Sequence, residues 1–533
     1  MYWADELAAR VSGPQVVNDS KTPSGTIHVG SLRGPVILDV IARALRAANV
    51  PTTLLYGIDD LDPMDAQALL TPDAVERSMG VPLAHVSDPA ADGHPSYARH
   101  FAQAFIDTFA GLGIHPDRYY WMSEVYASGE MDRYMRAALD RAAVVRDIYE
   151  RVANVRHPAE WHPLAVICES CGRIGTTIVT GWDGERVTYE CRPDLVRWAT
   201  GCGNSGRIAP FGGRAKLPFN VDWAAKWSLF GVTIEPCGKD LATAGGARDR
   251  ADAVARQVFE REPPLRVDYE FLNIGGKKMS TSRGHGAAAH EIADVVPPEQ
   301  LRLLFLRSRP NHAIEFDPYG TDAIPRLFDE SDRLAAAAAG REVKGELPAD
   351  AGRLFADVLV DSDADPATEA AAYRPPFAHL ALLLQIPGVD VRAKVEAEKG
   401  ALLTEREAAL LEERIGAARR WLEAYAPERS RLAVQRGALP PAVAELDPAQ
   451  RAALSALADA LATTQWDGEA LQAAIFDAAR STGLAPGRGF AALYAAFLGQ
   501  ASGPRAGWLL ASLDRDFVVE RLRAAAAPDT LAP

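Results

Sequence analysis

The stretch PSGTIHVGS at residues 23–31 decides how this chain folds. A β-favouring segment, QVVN at residues 15–18, precedes it, and an amphipathic run over residues 32–48 follows it. This order predicts a strand, a glycine-containing turn and a helix. Free backbone N–H groups and the positive end of the helix dipole would meet at the turn, where they favour binding of a phosphate group.

Strand and helix patterns continue to alternate through the first half of the chain. Periodicity predicts strands at 51–56, 118–122, 232–234 and 267–274, and helices at 96–112, 129–155, 222–230 and 247–260. Alternation of this kind predicts an α/β fold, with a parallel sheet covered by helices on both faces. Ligands of such sheets bind beyond the carboxyl ends of the strands, where the turn at 23–31 lies.

Residues 160–218 interrupt the alternation and contain four of the five cysteines of the chain. The spacing Cys168-x2-Cys171 is typical of metal-binding turns, and Cys191 and Cys202 could complete a tetrahedral thiolate site. We therefore expect an inserted knuckle that holds a structural Zn²⁺ ion. The alternative is a set of free thiols. Cys237 lies apart from the group, and we expect it to be a small packed residue.

From residue 297 onward the chain is rich in alanine and predicts almost only helices, with proline and glycine as stops. We expect a boundary near residues 317–325, and hence one domain over 1–320 and a helical region over 321–533. Arginines and one tryptophan interleave over residues 419–436. This pattern suits stacking on unpaired nucleotide bases, although a solvated helix face would produce the same pattern.

Composition places few further limits on this chain of 533 residues. Its formal net charge of −14 argues mildly against a nucleic-acid partner, but an acidic body can carry a local basic patch. The first residues lack the basic and apolar regions of a signal peptide, and no apolar run approaches the roughly 20 residues of a spanning helix. We expect a cytoplasmic protein.

Two further segments carry groups that suit a nucleotide. Residues 278–282 (KMSTS) offer one ammonium group and several hydroxyls, which could meet the growing charge of a pyrophosphate leaving group. Gly238 would allow close approach of a ligand after a strand, and Asp240 could accept hydrogen bonds from ribose hydroxyls. Taken singly, these residues also fit a solvated basic loop and a helix N-cap.

The turn with His28 and the loop with Lys278 together resemble the two signature motifs of class I aminoacyl-tRNA synthetases. End to end, the chain resembles the class I lysyl-tRNA synthetases of archaeal type. The segments that carry this resemblance are residues 23–30, 59–63, 80–83, 88–89, 123–126, 216–218, 221–223, 235–240, 278–282, 493–494 and 498–505.

The resemblance implies a Rossmann-type catalytic domain with a zinc-knuckle insertion, followed by an all-α region that contacts the tRNA stem and binds the anticodon. It implies ATP-dependent attachment of L-lysine to tRNA(Lys) through a lysyl-adenylate, with Mg²⁺ accompanying ATP. It also implies a monomer without a membrane partner.

The expected site residues fall into three groups. His28 and Lys278 are expected to be catalytic, because they would stabilise the phosphates in the transition state. The residues expected to bind the nucleotide are Pro23, Gly25, His28, Gly30, Ser31, Gly238, Asp240, Lys278, Ser280, Thr281 and Ser282. The candidates for binding lysine are four carboxylates and one aromatic ring that could cover the aliphatic stem, namely Asp19, Asp59, Asp60, Glu235 and Trp227. Plain solvation of the acids and core packing of the ring are the alternatives.

The chain departs from the usual pattern of the family at several positions near the expected pocket. Ser31 stands where Asn or His is common, Gly34 where Glu is usual, and Leu241 where His is usual. These differences leave two other hypotheses open: a class I ligase of changed amino-acid or acceptor specificity, and a tRNA-binding paralogue without catalysis.

Overall fold

The computed structural model describes residues 2–65, 71–275, 277–278, 288–386, 389–431 and 433–527, apart from the side chains of Pro72, Lys277 and Lys278. The chain divides into two compact units. The first comprises Met1–Asp294, Pro298–Phe316 and Glu346–Pro366, and the second comprises Val295–Pro297, Asp317–Gly345 and Ala367–Pro533.

The strands belong to the first unit. In chain order they are β1 (Gln15–Lys21), β2 (Thr52–Ile58), β3 (Arg118–Trp121), β4 (Ala165–Val166), β5 (Thr177–Trp182), β6 (Val187–Cys191), β7 (Ser205–Ile208), β8 (Ala215–Lys216), β9 (Ile234–Gly238), β10 (Leu265–Tyr269), β11 (Leu272–Ile274), β12 (Lys277–Lys278) and β13 (Ile314–Glu315).

A five-stranded parallel sheet in the order β10–β9–β1–β2–β3 forms the centre of this unit, as the alternating pattern predicts. From β1 the chain runs to β2 and β3 on one side, and it then crosses to β9 and β10 on the other. The direction of winding therefore reverses between β1 and β9. The connections that follow these two strands leave their carboxyl ends in opposite directions, which creates a crevice where a ligand can bind.

The helices of the first half are α1 (Trp3–Ala8), α2 (Arg33–Ala47), α3 (Pro72–Ser78), α4 (Tyr97–Ala110), α5 (Met122–Ala127), α6 (Asp132–Asp140), α7 (Ala142–Ala153), α8 (Phe219–Phe230), α9 (Ala247–Gln257), α10 (Ala289–Val295) and α11 (Pro298–Leu306). Two predicted elements are divided. The helix expected over 129–155 is α6 and α7, separated at Arg141, and the strand expected over 267–274 is β10 and β11. Periodicity does not reveal these breaks, because the apolar pattern continues through them.

The inserted residues 160–218 form two small antiparallel sheets. Strand β4 pairs with β8, and β5, β6 and β7 form a three-stranded sheet. Side chains of these strands, such as Val179, Val187 and Tyr189, are fully buried. The insertion therefore has a small core of its own beside the cysteines.

The second half contains α12 (Ala323–Ala338), α13 (Ala351–Val358), α14 (Pro366–Ala371), α15 (Phe377–Leu383), α16 (Val391–Lys399), α17 (Glu405–Arg420), α18 (Pro448–Ala460), α19 (Gly468–Ser481), α20 (Pro486–Leu498), α21 (Ala506–Ala511) and α22 (Arg515–Ala526). Capping boxes fix the starts of α17 and α18, where Thr404 pairs with Glu407 and Asp447 pairs with Gln450. Helix α13 lies in the first unit. Within the described residues, no helix is both long enough and apolar enough to cross a membrane.

Candidate active site

The turn that follows β1 lies at the carboxyl edge of the central sheet. His28 has an extended backbone and is the N-cap residue of a short 3-10 helix, Val29–Leu32, which leads into α2. Gly25 has a φ angle of +153°, a conformation that residues with a Cβ atom rarely adopt. Ser24 accepts a hydrogen bond through its carbonyl oxygen from the Tyr97 hydroxyl at 3.0 Å. Pro23 and Gly25 are buried, whereas His28, Gly30 and Ser31 are half-buried.

The chain returns to this turn after the second motif. Strand β12 (Lys277–Lys278) pairs with β11. Further on, Ala288 forms an antiparallel bridge with His28, and the Ala289 N–H group donates to the Ile27 carbonyl at 2.9 Å. The Lys278 side chain and residues Ser280, Thr281 and Ser282 lie outside the described residues. The described backbone thus pairs the start of this loop with β11 and its end with the His28 turn.

Gly238 and Asp240 follow strand β9. Gly238 is in register with Tyr269 of β10, and Asp240 is exposed. A Cβ atom at position 238 would lie 3.1 Å from Asp240 Oδ1. The alternative interpretation of Asp240 as a helix N-cap is wrong, because α9 begins at Ala247 and Gly246 is its N-cap residue.

The Asp19 carboxylate lies against Gly34, in the first turn of α2. Its Oδ1 accepts a hydrogen bond from the Ser20 N–H group at 2.8 Å, and no described residue donates a hydrogen bond to its Oδ2. Burial raises the pKa of Asp19 to about 7, and the nearby Glu235 carboxylate adds to this shift. The side chain is therefore a half-buried acid, one oxygen of which accepts no hydrogen bond from a described residue.

The other predicted carboxylates already have protein donors. Asp59 Oδ1 accepts a hydrogen bond from Lys226 Nζ at 2.6 Å. Asp60 Oδ1 accepts from the Ser123 N–H group at 2.7 Å, and burial raises its pKa to about 6.

Glu235 accepts from Asn18 Nδ2 at 2.7 Å, and its other oxygen accepts from two indole N–H groups, those of Trp223 and Trp227. Burial raises the pKa of Glu235 as well.

Trp227 lies in the core of the first unit. Its side chain is fully buried, and the Arg248 guanidinium group lies 4.6 Å from the centre of its ring. This position corresponds to core packing, the alternative interpretation of that residue. Sequence reasoning could not distinguish the two, because an aromatic residue on an apolar helix fits both.

A buried ionic network next to Asp59 had no clear sequence signal. Lys226 and Lys216 lie on either side of Asp222, each with its Nζ atom 3.8 Å from Asp222 Oδ2. Lys216 Nζ also donates to Asp62 Oδ1 at 2.7 Å. Burial alone would raise the pKa of Asp59, but the two ammonium groups hold it below its usual range. The network joins α8 and β8 to the segment that follows β2.

The four cysteines of the insertion lie together. Their sulfur atoms are all within 4.8 Å of one another, with Cys168 and Cys202 3.6 Å apart and Cys171 and Cys191 3.7 Å apart. Four thiolates at about 2.3 Å from a tetrahedral Zn²⁺ ion would be roughly 3.8 Å apart, so these residues fit such an ion. The Cys202 N–H group also points to Cys191 Sγ at 3.4 Å.

A second group of metal-ligating side chains was missed by the sequence interpretation. Ligand atoms of Asp92, His94 and His100 lie within 4.8 Å of one another, and Asp88 Oδ1 is 3.3 Å from His100 Nδ1. These groups could hold a divalent metal ion. The available signal was the spacing Asp-x3-Asp-x-His-x5-His over residues 88–100.

Comparisons with known proteins agree with this geometry. The family of tRNA synthetases class I (K) matches residues 1–352, and the anticodon binding domain matches residues 438–526. The lysine–tRNA ligase of Archaeoglobus fulgidus is 32% identical over 98% of this chain and 100% of its own length. Those of Thermoplasma volcanium and Methanocaldococcus jannaschii are 31% and 30% identical, each over 98% of this chain and 99% of its own length. The chain therefore belongs to the class I (K) family of tRNA synthetases.

Proposed function

We propose that this protein attaches L-lysine to tRNA(Lys) at the expense of ATP, through a lysyl-adenylate intermediate. Membership of the class I (K) family supports the reaction. The observation that carries the choice of a cationic amino acid is Asp19, a half-buried carboxylate at the carboxyl edge of the sheet, one oxygen of which accepts no hydrogen bond from a described residue. A desolvated ammonium group requires such a partner.

In the first step the lysine carboxylate attacks the α-phosphate of ATP, and pyrophosphate leaves. The turn with Pro23, Gly25 and His28, together with Gly30 and Ser31, would hold the phosphates at the N-terminal end of α2. Gly238 and Asp240 would hold the adenosine, and the loop with Lys278, Ser280, Thr281 and Ser282 would meet the leaving group. Mg²⁺ would accompany the phosphates of ATP. Positioning and charge stabilisation supply most of this catalysis.

The four-cysteine group is proposed to hold a structural Zn²⁺ ion. Support comes from the sulfur–sulfur distances of 3.6 and 3.7 Å and from the N–H group that points to Cys191 Sγ. All four coordination positions would be filled by thiolates, so the ion would stabilise the insertion and would not bind substrate.

The second unit is proposed to bind the tRNA. The lining of a cavity of about 560 Å³ in this unit includes two tryptophans and two arginines, Trp421, Trp508, Arg429 and Arg505. The Arg505 guanidinium group lies 4.7 Å from the centre of the Trp508 ring. Rings and guanidinium groups are suited to an unpaired base and its phosphate. Arg429→Ala and Arg505→Ala should raise the KM for tRNA several-fold and leave the KM for ATP unchanged, whereas the exposed Arg480→Ala should change neither.

We also propose that residues 1–320 form the catalytic domain and that residues 321–533 form the tRNA-binding region. The family match over 1–352 and the anticodon-domain match over 438–526 support this division. The two compact units support it in part, since the second unit begins at Val295–Pro297 and includes 317–345.

The test is ATP–pyrophosphate exchange with each of the twenty amino acids, in the presence and absence of total tRNA. Lysine-dependent exchange is expected. Exchange with a different amino acid would retain the ligase and overturn lysine as the substrate. Absence of exchange under both conditions would favour a tRNA-binding paralogue without catalysis.

A further inference from the structure

The first turn of α2 lies against the Asp19 carboxylate at Gly34. Gly34 is the second residue of α2 and is buried. A Cβ atom at this position would lie 2.5 Å from Asp19 Oδ2 and 3.1 Å from the Tyr269 hydroxyl oxygen. Cβ atoms essentially never approach another heavy atom within 3.0 Å. The Asp19 carboxylate thus occupies the space that any side chain at position 34 would need.

Neither the helix nor the strand is free to relieve such a contact. Arg33, which precedes Gly34, is fully buried and donates hydrogen bonds to the carbonyl oxygens of Glu270 at 2.6 Å and His312 at 2.9 Å. These bonds fix the first turn of α2 to the residue that follows β10 and to the segment that precedes β13. Asp19 lies within β1, which is paired with β2 along its whole length. A side chain at position 34 would therefore displace the carboxylate rather than the backbone.

Tyr269 connects this contact to the proposed nucleotide side of the site. Its hydroxyl oxygen would lie 3.1 Å from a Cβ atom at position 34 and 3.6 Å from a Cβ atom at Gly238. The closest atom to that second position is Asp240 Oδ1, at 3.1 Å. The ring of Tyr269 thus lies between two glycines, one beside Asp19 and the other beside Asp240. The 3.6 Å distance at position 238 is an ordinary van der Waals contact, so only a side chain at position 34 would crowd the Tyr269 hydroxyl group.

The charged surroundings of Asp19 come from several elements. Glu235 on β9 opposes its ionisation, while Lys21 on its own strand and Lys226 on α8 favour it. The phenol groups of Tyr56 on β2 and Tyr269 on β10 also face it. None of these groups donates a described hydrogen bond to Asp19 Oδ2. This oxygen is the one that lies against Gly34.

We propose that Gly34 is a specificity-determining position: the missing side chain at residue 34 allows Asp19 to present its carboxylate to the ammonium group of the amino-acid substrate. This inference rests on the proposed function, since it assigns the cationic substrate to the same site. Gly34 acts through Asp19 and is a positioning residue. Its effect should appear in amino-acid binding, with little change in ATP binding or in the chemical step.

The first test is Gly34→Ala in lysine-dependent ATP–pyrophosphate exchange. Displacement of a charged hydrogen-bond partner should raise the KM for lysine by roughly tenfold or more. The kcat and the KM for ATP should remain within about twofold, because an interaction made equally in ground and transition states affects KM alone. Gly352→Ala is the matched control. Gly352 is also the second residue of a helix, α13, and a Cβ atom there would meet no atom within 4 Å.

A double-mutant cycle with Asp19→Ala separates a direct contact from a general disturbance. Asp19→Ala alone should raise the KM for lysine at least as much as Gly34→Ala. Adding Gly34→Ala to Asp19→Ala should cause no further rise, since the carboxylate that it displaces is gone. An unchanged KM in Gly34→Ala, or full additivity of the two substitutions, would overturn the inference.

Failure of the Gly34 inference can be distinguished from failure of the proposed function. If the wild type uses another amino acid, the cycle is measured with that amino acid and still tests the contact. If the wild type shows no exchange at all, thermal unfolding provides the readout. Gly34→Ala should then lower the Tm of the wild-type protein but not that of the Asp19→Ala variant. Equal losses of Tm in both backgrounds would overturn the inference.

Discussion

Lys226 Nζ lies 2.6 Å from Asp59 Oδ1, and both side chains are almost completely removed from solvent. The ammonium group also lies 3.2 Å from Ser20 Oγ on β1. Lys226 therefore ties α8 to the carboxyl end of β1 and to the residue that follows β2. An acidic residue that appears available in the sequence is a structural ion-pair partner in the fold.

Removal of one partner of this pair should be strongly destabilising. Lys226→Met should lower the free energy of unfolding by about 3–5 kcal/mol, because it leaves a buried carboxylate without its counterion. Adding Asp59→Asn to Lys226→Met should recover part of the loss. Chemical denaturation measures both variants, with Arg151→Ala as a control, because the exposed Arg151–Asp147 pair should contribute less than about 1 kcal/mol. Full additivity of the two core substitutions would contradict this interpretation.

The pKa of Asp19 predicts a pH dependence of lysine binding. Burial, followed by the Glu235 carboxylate, raises this pKa to about 7. The ammonium group of the substrate requires the ionised carboxylate, so the KM for lysine should rise by roughly tenfold for each pH unit below 7. Exchange measured from pH 5.5 to 8.5 would show this. A KM that does not change over that range would argue against Asp19 as the ligand.

The same shift predicts an effect on stability with a definite sign. The pKa of Asp19 is higher in the folded state than its usual value, so protonation of this carboxyl group stabilises the folded state. This stabilisation is present at low pH and is lost as the pH rises through about 7. Asp19→Asn should therefore gain stability relative to the wild type between pH 5 and pH 8, by about 2–4 kcal/mol. The exposed Asp194→Asn is the control. A difference between Asp19→Asn and wild type that stays constant with pH would contradict the prediction.

Metal content tests the cysteine group. Freshly purified, reduced protein should contain about one Zn²⁺ ion per chain at these four cysteines, and Cys171→Ser or Cys191→Ser should lose it. Cys237→Ala should retain the metal, because Cys237 lies outside the group that the structure brings together. Mass spectrometry of the purified protein for metals gives the stoichiometry. Retention of zinc in both serine variants would exclude these residues as ligands.

His28 should contribute to the chemical step. His28→Ala should lower kcat for ATP–pyrophosphate exchange by about 10²–10³-fold and change the KM for lysine little, because a preorganised donor acts on charge that develops in the transition state. The exposed His115→Ala should leave kcat unchanged. An equal loss in both variants, or a change in KM alone, would remove His28 from the chemical step.

The sequence by itself determined the class of fold. The order of strand, glycine turn and helix at residues 15–48 predicts β1, the turn and α2 to within one to three residues, because the period of the apolar pattern changes from strand to helix there. The spacing of Cys168 and Cys171 likewise predicts a pair of neighbouring thiols, since the two residues share one short turn.

Only the tertiary structure decided which acids are available. Asp19 and Asp59 have the same chemistry, and each lies near the end of a predicted strand. Asp59 nevertheless accepts a hydrogen bond from Lys226, which lies on a helix 167 residues further along the chain. The contact between Gly34 and Asp19 is equally invisible in the chain, because it depends on how α2 crosses β1. Local sequence patterns determine elements and turns, whereas pairing between distant side chains depends on the packing of those elements.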